Sequence, residues 1–278
     1  MNIFKLKKTI KIAHIIHPVV TAPTSDLVIA QPITFETMRI AQEFARNAGD
    51  RVNRVNVELY AVQYFDEERI PIPGNFIRTR DLTRSVYDVG TFRAKRKLAL
   101  IKDIFDILYE SSKADYLIYT NVDIALQPYF YLTIADIINQ GYDAFIINRR
   151  TIPGHYSSIE EIPLMYAETG EKHPGWDCFI FKRTLYPKFM LGNACIGTDW
   201  IGRIILSNMA SLAKQFNVFT DLQMTFHIGN SRVWQTNEFS DYAEHNKEEC
   251  RKTLVKFDKM YGPFDRKGLP GRFLTKFT

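Results

Sequence analysis

Little in the sequence assigns it at once. Its three cysteines, Cys178, Cys195 and Cys250, are odd in number, widely spaced and without a CxxC pair. That excludes a disulfide framework and a zinc ribbon, and fits a reducing compartment. No apolar run is long enough to cross a bilayer. The amino-terminal stretch pairs basic with apolar residues, but His14 and His17 interrupt it and Pro18 closes it, so it reads as a buried first strand rather than a signal peptide. Internal repeats, low-complexity tracts and linkers are missing, as is any aromatic-interleaved basic stripe of the kind that binds RNA. Charge is nearly balanced: 36 Lys+Arg against 31 Asp+Glu leave +5, which favours an anionic ligand without singling out nucleic acid. The expectation is a soluble, cytoplasmic protein with at most a peripheral contact at the inner membrane surface, and no nucleic-acid partner.

What is present is core material. Hydrophobic residues make up 46% of the 278, with 20 Phe and 14 Tyr, enough for a substantial interior. Strand-like and helix-like segments alternate. Ile10 to Val20 is a β-branched run of the kind buried on both faces. Thr34 to Asn47 reads as a helix capped by Thr34, with Met38, Ala41 and Ala45 at helical spacing. Val52 to Tyr64 is a strand, and Pro71, Pro73 and Gly74 mark a long irregular connection after it. Thr91 to Ser112 reads as one helix with an apolar stripe of Leu98, Ile101, Ile104, Phe105 and Leu108. Ala114 to Ile124 is a strand with a polar end. Then come a helix (Thr133 to Gln140), a strand (Asp143 to Asn148), a loop with a short helix, a strand (Asp177 to Lys182), a helix (Asp199 to Phe216), a strand (Asn217 to Phe226) and a charged helix (Asp241 to Met260). The pattern predicts an α/β/α sandwich with a mainly parallel central sheet in a single domain.

Open sheets of this class bind ligands beyond the carboxyl ends of their strands. There stands Thr120-Asn121-Val122-Asp123, whose Asn121 and Asp123 share a face if the strand stays extended and suit a hard cation, or else cap a turn. Arg93-Ala94-Lys95-Arg96-Lys97 precedes the Leu98 to Leu108 stripe and reads as a basic helix start placed for a phosphate, or as a solvated face. His173-Pro174-Gly175-Trp176-Asp177, Gly197-Thr198-Asp199-Trp200 and Thr225-Phe226-His227 mark later strand and helix ends. Asp199 suits a general base or a first-turn acid. His227 suits a metal or a core position. Trp176, Trp200 and Trp234 suit sugar stacking or core packing.

In this order the features resemble a GT-A-fold glycosyltransferase from about Ile10 to Trp234, with Asn121-Val122-Asp123 similar to the "DxD" motif that binds Mn²⁺ or Mg²⁺ under the diphosphate of a nucleotide sugar. The resemblance implies Asp123, Asn121 and His227 as metal ligands, with Asn121 standing where the opening Asp usually sits. It implies His17, Pro18, Val19 and Asp66 around the base and ribose, and Arg93, Arg96 and Lys97 near the diphosphate. Asp199 matches the catalytic base of inverting members, with Asp177 as the alternative; Trp176 and Trp200 fall on the acceptor side. Residues up to about 125 then form the nucleotide-sugar half, 126–240 the acceptor and catalytic half, and 241–278 a terminal helix and tail. A metal-dependent, inverting transfer from a nucleotide-sugar donor to a glycan or glycolipid hydroxyl, as in polysaccharide biosynthesis, is the expected activity. A sugar-phosphate nucleotidyltransferase fits less well, because the loop from His17 to Pro23 has no glycine. A non-catalytic basic module for glycan or RNA is the third reading.

Overall fold

The computed structural model describes residues 9–48, 55–230 and 237–261. Trp234, the tail beyond 261 and the start of the expected Val52 strand lie outside them. A seven-stranded sheet carries the fold in the order β10-β6-β9-β4-β1-β2-β3, with β1 Ile10–Ile16, β2 Val55–Ala61, β3 Phe76–Arg78, β4 Tyr116–Thr120, β6 Ala144–Ile147, β9 Cys178–Lys182 and β10 Phe216–Phe219. All neighbours run parallel except β9, which is antiparallel to both β4 and β6. The mainly parallel sandwich expected from the sequence is therefore present.

Alternation explains the layers. Ile12 and Ile16 of β1, Ile118 of β4, Phe145 of β6 and Ile180 of β9 pack on one face, against Phe35, Met38 and Ala41 of α1 (Leu27–Ala48) and Phe130 and Ile134 of α3 (Phe130–Asn139). Their neighbours Ala13, Ile15, Leu117, Tyr119, Ile146 and Phe181 point the other way. These meet α2 (Ile101–Ser111), α5 (Ile201–Leu212) and α6 (Ser240–Tyr261). Successive strand residues point to opposite faces, so a sheet covered twice needs unbroken apolar runs.

A second, four-stranded sheet is not announced by the sequence pattern. It orders β5 (Ala125–Leu126), β11 (Thr225–Ile228), β7 (Arg150–Ile152) and β8 (Glu171–Lys172), with α4 (Ile162–Ala167) packed nearby. The expected strand from Asn217 to Phe226 is thus two strands in different sheets.

Two helix starts also differ from expectation. α1 begins at Leu27, so Thr34 is a fully buried interior residue rather than a cap, and Pro32 is accommodated within the helix. α2 begins only at Ile101, after Leu100. Thr91 to Leu100 is not helical, because its end is extended and forms bridges from Ala99 to Ser85 and from Leu100 to Cys195. The basic run Arg93 to Lys97 therefore does not open a helix, and the macrodipole argument for a phosphate there does not apply.

Candidate functional site

The carboxyl ends of β1, β2, β4 and β6 share one rim, and the reversed β9 brings its beginning to the same place through the pairs Thr120–Cys178 and Ile147–Cys178. Asn121, Arg149 and Asp177 thus emerge close together from three distant parts of the chain.

After β4 the backbone turns, with Ile124 N–H donating to the Asn121 carbonyl at 3.2 Å, and enters β5. There β11 pairs antiparallel through Phe226–Ala125, which carries the next residue, His227, to Asp123. The His227 Nε2 to Asp123 Oδ2 distance is 3.2 Å. His227 Nδ1 lies 2.9 Å from the Gly229 carbonyl, and a carbonyl only accepts, so Nδ1 carries a proton. Nε2 then faces the carboxylate either as the second N–H of an imidazolium or as a lone pair with a cation between. Burial alone lowers the His227 pKa, but the Asp123 hydrogen bond and charge outweigh it and the net direction is up. Burial raises Asp123, and His227 and Arg149 more than reverse this, leaving its pKa below the ordinary carboxylate value. Asp123 Oδ1 is buried with no hydrogen-bond partner. Asn121 Oδ1 accepts from the Tyr119 hydroxyl at 3.0 Å, which orients it and leaves one lone pair.

Beside this pair, buried Arg149 places Nε 3.5 Å from Asp177 Oδ2, and His173 Nδ1 is 3.6 Å from the same oxygen. His173 Nδ1 accepts the Gly175 N–H at 3.0 Å. Arg149 Nε and Asp177 Oδ2 are buried without hydrogen bonds.

At the other end of the rim, His17 follows β1, and its Nδ1 donates to the Val62 carbonyl at 2.8 Å. Burial lowers its pKa to about 4. Gln31 of α1 clamps the next turn, accepting from Val19 N at 2.8 Å and donating to Val19 O at 3.0 Å. Tyr64, beyond β2, meets His17 edge-on with ring centroids 5.7 Å apart. Lys97 Nζ sits 4.0 Å over the Tyr64 ring and pairs with Asp66.

No family model matches the chain, and neither does any curated protein. Solved structures do. Staphylococcus aureus TarS 1–349 in complex with UDP-GlcNAc aligns with a TM-score of 0.51 over 90% of this chain and 73% of that one, at 10% identity. TarS 1–349 alone aligns at 0.50 over 91% and 73%, at 9% identity. The fold is GT-A.

In a GT-A frame only some of the expected residues come together. Asp123 and His227 meet, as do Asp66 and Lys97, with His17 joined to them through Tyr64. Pro18 is buried and Val19 half-buried at the end of β1. Arg93 and Arg96 instead engage the start of α6. Arg93 N–H donates to Asp241 at 2.7 Å and its guanidinium bonds Ser240, while Arg96 N–H donates to the Tyr242 hydroxyl at 2.9 Å and its guanidinium lies 5.6 Å from the Phe239 ring centre. Trp200 belongs to the core at 8% exposure, its ring covered by Arg203 at 4.5 Å, so it presents no face to an acceptor. Trp176 is half-buried against the start of α5, where a Cβ on Gly202 would stand 3.3 Å from the Trp176 carbonyl. Asp199 is half-buried one residue before Trp200. Among the described residues no group of three or more His, Cys, Asp or Glu is arranged around a metal position, and no helix is long and apolar enough to cross a membrane.

Sequence reasoning does not single out Arg149, Tyr64, Gln31 or Tyr119. For Tyr64 and Arg149 the available signal is position just past a strand; Gln31 in mid-helix carries none.

Proposed function

We propose that the chain is a glycosyltransferase that moves a sugar from a nucleotide-diphosphate donor to a hydroxyl of a glycan or glycolipid, with inversion. The observation that carries this is the Asp123–His227 contact on the strand-end rim: a carboxylate with one buried oxygen left unpartnered, facing an imidazole whose other nitrogen is fixed on a carbonyl. That donor set fits a divalent cation completed by a substrate's own oxygens, which agrees with its having only two strong protein ligands. Asn121 would add its remaining lone pair. Mn²⁺ or Mg²⁺ held there supplies positive charge against the departing nucleotide diphosphate. TarS, which shares the fold, binds UDP-GlcNAc in its crystal, and this supports a nucleotide sugar as donor.

The chain's own residues do the rest. His17, Pro18, Val19 and Tyr64 line the nucleoside side, with the turn held rigid by Gln31. Lys97, carried by Asp66 and Tyr64, brings a cation toward the diphosphate. Asp199 accepts the acceptor's hydroxyl proton as its oxygen attacks, with Asp177 at the same rim as the alternative base. Trp176 borders the acceptor. Both polar groups of Val19 are engaged by Gln31, so the turn after β1 offers no free backbone N–H at that residue for a triphosphate, which weighs against a nucleotidyltransferase.

Thermal shift with a panel of nucleoside diphosphates, with and without Mn²⁺, tests the proposal. At a hundredfold excess over Kd one nucleotide should stabilise the fold by about 2.7 kcal/mol, roughly 5 °C for a chain this size, only with metal and not in Asp123→Ala. A wild-type protein indifferent to every nucleotide refutes the donor assignment.

A further inference from the structure

The loop that carries Asp199 is held in an unusual shape, and one side chain on a distant helix accounts for it. Trp200 is the only non-glycine residue among those described with a left-handed backbone, φ 74°, and Gly197 close by has φ 77°. A bulky L residue adopts this conformation only where its surroundings over-determine it. Asn246 of α6, fully buried, does so. Its Oδ1 accepts from Cys195 N at 2.9 Å, while Nδ2 donates to Cys195 O at 2.8 Å and to Asp199 O at 3.0 Å. Every hydrogen on the amide is used, and a flipped amide would set N–H against N–H. The loop's entry is fixed separately, by Ile196 N–H on the Ala99 carbonyl at 2.9 Å. Its exit is fixed by the Trp200 ring in the core under Arg203. With both ends of the loop pinned and the Asp199 carbonyl tied down, the peptide plane that follows Asp199 is fixed.

We propose that Asn246 is a positioning residue, which aims the Asp199 carboxylate by fixing its peptide plane. This rests on the reading of Asp199 as the base. The fold contains its own control. Asn208 of α5 is equally buried and makes the same kind of clamp, accepting from Met190 N at 2.5 Å and donating to Met190 O at 3.1 Å and Ile204 O at 2.8 Å, but it touches no residue of the Asp199 loop in these bonds.

The experiment is a double-mutant cycle on the purified full chain, reading nucleoside diphosphate released from an equimolar pool of UDP-glucose, UDP-N-acetylglucosamine and GDP-mannose. Asn246→Ala and the milder Asn246→Ser are both made, so that a folded variant is in hand, and melting temperature is recorded for each. Asn246→Ala should lower kcat about tenfold with KM within twofold, while Asn208→Ala should lower the melting temperature similarly and leave kcat near wild type. In an Asp199→Asn background, itself slower by roughly a hundredfold or more, the Asn246 substitution should change kcat by less than about twofold. An equal kcat loss in both backgrounds, or an Asn208→Ala loss as large, overturns the positioning role alone. Near-normal turnover by Asp199→Asn overturns the base assignment and the inference with it, as does a wild-type chain that releases nothing from the pool.

Discussion

Acid should weaken this fold through two buried histidines. His14 is fully buried between the Tyr131 hydroxyl and Thr120 Oγ1, each at 2.9 Å, and His17 is 3% exposed on the Val62 carbonyl beside Tyr64. Burial lowers their pKa values from 6.5 to about 3 and about 4. Both are neutral in the native state down to those values, whereas in the unfolded chain they bind protons below 6.5. Stability is therefore lost as pH falls from about 6.5, and the loss continues until the native rings titrate. Between pH 7 and pH 5 each histidine removes about 2 kcal/mol, about 4 kcal/mol for the pair, a large part of the roughly 5–15 kcal/mol of a typical domain. Urea unfolding followed by tryptophan fluorescence at the two pH values reads this directly. His14→Gln and His17→Gln should each shrink the pH 7 to pH 5 difference by about 2 kcal/mol, whatever they do to absolute stability. Variants with the same difference as wild type would show that neither ring is kept neutral by the fold.

Two other substitutions separate binding from stability. Lys97→Met removes the ammonium over the Tyr64 ring and its partly exposed ion pair with Asp66, so the melting temperature should move little while nucleoside diphosphate affinity, measured by calorimetry, falls roughly tenfold. Gln31→Ala removes both bonds to Val19 and should cost about 2 kcal/mol in urea unfolding. It should also weaken nucleotide binding in the same calorimetric assay; an unchanged affinity would show that the turn after β1 does not touch the donor.

The parts of this molecule legible in the sequence are those where one local cause dominates. β1 and β4 announce themselves as runs rich in apolar and β-branched residues because the sheet is covered on both faces. Asp123 is marked by its place just past an apolar strand, although β4 ends at Thr120 and Asn121 and Asp123 stand in the turn after it rather than on one face of an extended strand to Ile124. The start of α2 reads too early because Leu98 happens to continue the helical stripe, whereas the bridges from Ala99 and Leu100 to Ser85 and Cys195 that keep this stretch extended depend on residues far away in sequence. For the same reason Arg93 and Arg96, read locally as a phosphate cradle, are committed to α6, and Trp200 to the core. No local pattern could announce the direction of β9, and so the meeting of Arg149 with Asp177 was invisible. The contact of His227 with Asp123 became definite only with the pairing of β11 and β5.

That reversed strand has a consequence for how the protein can diversify. Because Ile147 at the end of β6 and Cys178 at the start of β9 are paired neighbours, the intervening thirty residues, 148–177, leave and rejoin the sheet about 5 Å apart. The excursion is tied down again inside the fold, because its β7 pairs with β11 and its β8 with β7. An insertion between β7 and β8 changes loop-closure entropy only slowly with length and leaves the register of both sheets untouched, whereas exchanging the whole segment would remove the strand that pairs with β11 beside His227.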